Sequence, residues 1–128
     1  MPVIEFRVVL TAEEFEKITA FYRDGLGLDP GAMWTEHGQG QIFGAGRATL
    51  EILDTTHTAY IDQIEAGKQV SGRLRFAFEV PDLLSALERA LNHGATLVNG
   101  PERTPWHTFN ARLQTPDGLQ VTLFEVMD

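Results

Sequence analysis

Residues 73–80 read RLRFAFEV, and their alternation decides the fold: Leu74, Phe76, Phe78 and Val80 fall on one side of an extended chain, Arg73, Arg75, Ala77 and Glu79 on the other. A period of two residues is that of a half-buried strand. The chain opens the same way. In VIEFRVVL, residues 3–10, Ile4, Phe6, Val8 and Leu10 share one face and Glu5 and Arg7 the other. Each strand leads into a predicted helix. After the first, Thr11 and Glu14 form a capping-box pattern, and Phe15, Ile18, Phe21 and Tyr22 supply an apolar stripe that stops near Gly25. After the second, Pro81 and Asp82 open a helix striped by Leu84, Leu87 and Leu91 and ended near Gly94. Strands follow in both halves. The glycine-rich run Gly38–Gly46 predicts a hairpin, and Ala48–Leu53 a strand with Leu50 and Ile52 opposite Thr49 and Glu51. In the second half, Thr96–Val98 and Phe109–Gln114 precede the turn Thr115-Pro116-Asp117-Gly118 and a last strand, Leu119–Val126, with Val121 and Leu123 on one face and Gln120, Thr122 and Phe124 on the other.

Two copies of one unit are therefore expected, with Arg7 matching Arg75 and Glu51 matching Thr122. Unit one covers about residues 3–53 and unit two about 73–127. Between them, 54–72 is a polar linker holding one short helix, anchored by Tyr60, Ile61 and Ile64. Each half is too small to stand alone, so residues 1–128 are expected to form one domain.

Composition narrows the chemistry. With no cysteine among 128 residues, disulfides, thiolate nucleophiles and iron–sulfur clusters are excluded. A net charge of −8 disfavours nucleic acid as a partner. Glu5 and Arg7 interrupt the first apolar stretch, and no window approaches the ~20 apolar residues of a membrane span. A soluble, cytoplasmic protein without a membrane partner is expected.

The tandem order, the segment FYRDGLGL (residues 21–28), the pair Pro105-Trp106 and the turn TPDG (115–118) together resemble the vicinal oxygen chelate superfamily of glyoxalase I, extradiol dioxygenases, fosfomycin-modifying enzymes and bleomycin-resistance proteins. The resemblance implies an α+β fold of two tandem βαβββ units, curved mixed sheets around a cleft, helices on the convex side, and a homodimer. It also implies that Arg7, Glu51, Arg75 and Thr122 stand where metal-dependent members place histidine, glutamate or glutamine ligands. An arginine offers only donors, so one plausible ligand, Glu51, remains, and neither a metal nor another cofactor is expected.

Other candidate contacts are Trp34, Trp106, Phe43 and Phe109, flat side chains suited to a planar ligand, with Phe124 near them and His37 and His107 approaching the cleft from loops or strand ends. His93 reads as a helix cap and His57 as a linker residue. Arg7, Glu51 and Arg75 are expected mainly to neutralise one another. The resemblance then implies a metal-free, non-catalytic protein of the drug-resistance branch, sequestering a small planar, quinone-like or polycyclic antibiotic between Arg7, Trp34, His37, Phe43, Glu51, Arg75, Trp106, His107, Phe109 and Thr122. Alternatives are a metal-dependent lyase or dioxygenase using His37, Glu51 and His107, a cofactor-free isomerase or cyclase with Glu51 as base, and a regulatory module without a ligand.

Overall fold

The expected alternation produces one curved sheet of eight strands in a computed structural model that describes residues 3–25, 28–116 and 118–128. In chain order the elements are β1 (Glu5–Thr11), α1 (Phe15–Ala20) continued by a π-helical turn (Phe21–Gly25), β2 (Asp29–Trp34), β3 (Gly40–Ala45), β4 (Ala48–Leu53), α2 (Thr55–Glu65), β5 (Leu74–Glu79), α3 (Leu83–Asn92), β6 (Thr96–Arg103), β7 (Thr108–Gln114) and β8 (Gln120–Val126). The strand order is β2-β3-β4-β1-β5-β8-β7-β6, so the two units meet at the antiparallel β1–β5 pair.

The register carries the repeat into three dimensions. Glu51 pairs with Val9, two residues after Arg7, and Thr122 pairs with Ala77, two residues after Arg75. The matched residues of the two units thus occupy equivalent rungs. On the convex face, Phe76, Phe78, Val121 and Leu123 pack with Leu83 and Leu87 of α3, while Leu10, Leu50 and Ile52 pack with Phe15 and Ile18 of α1.

Several local expectations are corrected. The Thr11–Glu14 capping box does not form: Thr11 is the last residue of β1, its hydroxyl lies 3.1 Å from that of Thr58, and the helix starts only at Phe15. The buried stripe of α3 runs through Leu83 and Leu87, whereas Leu84 is 58% exposed, because Asp82 rather than Pro81 caps the helix and sets its phase. The helical segment that begins with α1 ends at Gly25, as expected, while Leu26, Gly27 and Asp117 and the Phe21 side chain expected in the first stripe lie outside the described residues.

The linker holds the expected helix, and what was not expected is where it lies. Residues 54–72 hold an 11-residue helix, α2, capped by Asp54, which accepts a hydrogen bond from the His57 amide at 2.8 Å. This helix lies on the concave side, opposite α1 and α3, so the helices are not confined to the convex face. Among the described residues no helix is long and apolar enough to cross a membrane.

Candidate functional site

Because side chains alternate along a strand, the face opposite the α1/α3 core carries Arg7 and Val9 of β1, Glu51 of β4, Arg75 and Ala77 of β5, and Thr122 and Phe124 of β8. All of these except Val9, which is buried with Leu53 and Ile61, line an open cleft of about 640 Å³ whose far wall is α2.

One end of the concave face is filled by charge. Arg112 of β7 is fully buried and donates to Asp62 at 2.9 Å and to Glu65 at 2.9 Å, both on α2. Thr122 donates to Glu65 at 2.8 Å and accepts from Arg75 at 2.8 Å and Arg112 at 3.2 Å. Asp62 also accepts from the Ser71 hydroxyl and from the amides of Ser71 and Val70. Burial alone would raise the Asp62 pKa, but the bonds from Ser71, Arg112 and Val70 outweigh it and hold the group below its ordinary value. The network pins α2 across the sheet.

The other wall is aromatic. His57 and Tyr60, three residues apart on α2, face the cleft together. Tyr60 stacks on His37 with centroids 4.1 Å apart and planes 5° from parallel; Trp34 faces His57 at 6.1 Å, and Trp106 approaches Tyr60 at 6.4 Å. His57 is therefore a buried cleft residue, and its Nδ1 donates to the His37 carbonyl at 3.0 Å. His93 does cap α3, with Nδ1 2.8 Å from the Arg89 carbonyl.

Of the ten sequence candidates, Arg7, Trp34, His37, Glu51, Arg75, Trp106, His107 and Thr122 line this cleft. Phe43 and Phe109 do not. Phe43 pairs with Leu50 and is buried with Phe15 and Ile52, and Phe109 packs beside the α3 core; strand phase turns both to the convex side. Asn110, Arg112, Asp62, Glu65, His57 and Tyr60 had not been singled out as site residues. Period two along β7 would have found Asn110 and Arg112, which alternate with Phe109, Ala111 and Leu113.

Arg7, Glu51 and Arg75, expected to neutralise one another, form no direct ion pair and act on each other only at longer range. Arg7 turns to Glu5, with bonds of 3.1 and 3.2 Å, and lies over the Phe124 ring at 5.2 Å. Arg75 uses one N–H on Thr122. Glu51 forms no hydrogen bond or ion pair, and it is the half-buried carboxylate that faces the cleft. Desolvation raises its pKa, opposed by the more distant charges of Arg75 and Arg7. Burial lowers the Arg75 pKa, opposed by Glu65 and Glu51.

A divalent ion does not fit this donor set. Two of the four matching positions are guanidinium groups, and the Thr122 hydroxyl is engaged three times over. Among the described residues no three His, Asp or Glu side chains converge on a common point.

A raised carboxylate pKa has a testable sign. Ionising Glu51 is harder in the folded chain than in the unfolded one, so its contribution to stability is full below the unfolded value and is lost as pH rises through the folded one. Glu51→Gln is therefore expected to raise the urea midpoint at pH 7 and to leave it unchanged at pH 4. An unchanged or lowered midpoint at pH 7 would contradict the desolvation.

This fold and this site define a cleft-forming protein of two fused βαβββ units. The model of the Glyoxalase/Bleomycin resistance protein/Dioxygenase superfamily matches residues 6–123, and the chain belongs to that superfamily. None of the curated proteins matches it. Among solved structures, it resembles a glyoxalase/bleomycin resistance protein/dioxygenase superfamily member from Vibrio splendidus 12B01, with 14% identity, 94% of this chain and 97% of that one covered, and a TM-score of 0.71. It also resembles methylmalonyl-CoA epimerase from Mycobacterium tuberculosis, with 16% identity, coverage of 99% and 91%, and a TM-score of 0.70. A hypothetical protein from Bacillus halodurans C-125 is similar at 15% identity, 95% and 93% coverage and a TM-score of 0.70. At these identities the structural likenesses speak to the fold alone.

Proposed function

We propose that this protein binds a small planar aromatic molecule, without a metal, and confers resistance by sequestering it in the cytoplasm as a single-domain homodimer. The observation that carries the reading is the unbroken aromatic wall of Trp34, His57, Tyr60, His37 and Trp106 facing a polar floor of Glu51 and Arg75. Rings with few rotamers lose little entropy when they sandwich a planar ligand, and buried apolar area supplies the affinity. The Arg75 N–H groups left free by Thr122 suit a ring carbonyl. Sequestration needs no turnover, only affinity.

Both tryptophans line the cleft, so titration of intrinsic fluorescence with polycyclic quinones, phenazines, flavins and bleomycins is expected to give saturable quenching by at least one planar member. Flat titrations across the panel would overturn the reading. So would stoichiometric zinc, nickel, manganese or iron in the purified protein.

A second reading rests on the unpaired Glu51 carboxylate, which suits a base that removes a carbon-bound proton in a cofactor-free isomerase. The fold is shared with a methylmalonyl-CoA epimerase. Exchange of a bound ligand's C–H hydrogen with deuterated water, abolished in Glu51→Gln, would favour this reading over sequestration.

A further inference from the structure

The cleft floor is unequal in what it leaves unbonded. Arg7 is occupied by Glu5, Glu65 by Arg112, Thr122 and Asn110, and Asp62 by Arg112, Ser71 and Val70. One half-buried acceptor remains on the floor among the described residues, the Glu51 carboxylate, which has no hydrogen bond and lines the cleft. Oδ1 of Asn110 also lacks a partner, but it is sealed from the open space of the cleft and out of a ligand's reach.

We propose that this floor selects ligands carrying an N–H or O–H donor on the ring system, received by Glu51, with Arg75 taking a neighbouring carbonyl. The inference rests on the small-molecule reading above and specifies its substrate class: amino- or hydroxy-substituted planar carbonyl compounds rather than bare quinones. An acceptor left unpaired in a half-buried site is unfavourable, a penalty that a ligand donor removes and a methyl group in the same place does not.

The test uses two probes of nearly equal shape, 2-aminoanthraquinone and 2-methylanthraquinone, titrated into the full chain by tryptophan fluorescence. The amino compound is expected to bind at least about tenfold more tightly. Glu51→Met should remove most of that preference while leaving the affinity for the methyl compound within about threefold, and Glu51→Gln, which keeps an acceptor oxygen, should retain part of it. Circular dichroism of each variant checks that it folds. Equal affinities in the parent protein, or an equal loss for both probes in Glu51→Met, would overturn donor selection and leave planar-ligand binding standing. No quenching by either probe or by any planar member of the wider panel would overturn both.

Discussion

Arg112→Met is expected to destabilise the protein by about 3–5 kcal/mol, the range for removing one partner of a buried ion pair. The side chain is fully buried, and among the described residues its guanidinium is the only cation bonded to either Asp62 or Glu65. Without it two carboxylates stay in a low-dielectric interior with only hydroxyl and amide donors. The cost comes from those orphaned charges and not from the pair's own attraction, so adding Glu65→Gln to Arg112→Met should recover part of the loss. Acid distinguishes the two proteins by slope. In the parent, Asp62 has a depressed pKa, so its contribution is present above the unfolded value of about 3.8 and is lost as pH falls through the folded one. In Arg112→Met the buried carboxylates prefer to be protonated, and stability should rise as pH falls from 7 towards 5. Urea midpoints across that range decide the matter. A loss under about 1 kcal/mol, or a gain on acidification no steeper than the parent's, would show that Arg112 does not hold α2 to the sheet.

The same cluster explains what a reading of the sequence can reach. The strands were legible because one face of each packs on α1 or α3, which forces a strict period of two in Leu74–Glu79 and in Gln120–Val126. The shared rungs of Arg7 with Arg75 and Glu51 with Thr122 were legible for the same reason. A short helix in the linker was legible, but not its place against the concave face, because its inward side carries His57, Asp62 and Glu65, polar residues that read as solvated unless their partners are known. For Asp62 and Glu65 partners sit 45 to 50 residues away, on β7. The direction of a side chain within its face was equally hidden. Alternation places Arg7 on the cleft side, but only the position of Glu5 two residues earlier turns its guanidinium away from Glu51. Phe43 and Phe109 were misplaced by weighing residue type above strand phase.

Gly38→Ala is expected to be the second severe substitution, costing about 2–4 kcal/mol from backbone strain and a lost helix cap together. The glycine-rich run was read as hairpin material, and β3 does begin at Gly40. Gly38 has a more particular duty. Its φ is +91°, and a Cβ there would fall on the Asp54 carboxylate and the His57 amide, the two groups that cap α2, and 2.9 Å from Thr56 Cβ. A methyl group therefore has to push the start of α2 away from the β2–β3 turn. That movement displaces His57 and Tyr60, and with them the stack on His37, so ligand affinity should fall together with stability. Gly46→Ala is the control: φ is +65° and nothing lies within 4 Å of the added atom, so only backbone strain of about 1–2 kcal/mol is incurred. If Gly38→Ala unfolds at the same urea concentration as Gly46→Ala and quenches as fully with a planar ligand, the contact between the turn and the cap does not set the aromatic wall. A lower midpoint with weakened quenching in Gly38→Ala alone would place the wall's geometry at the point where His37 and Gly38 meet the first turn of α2.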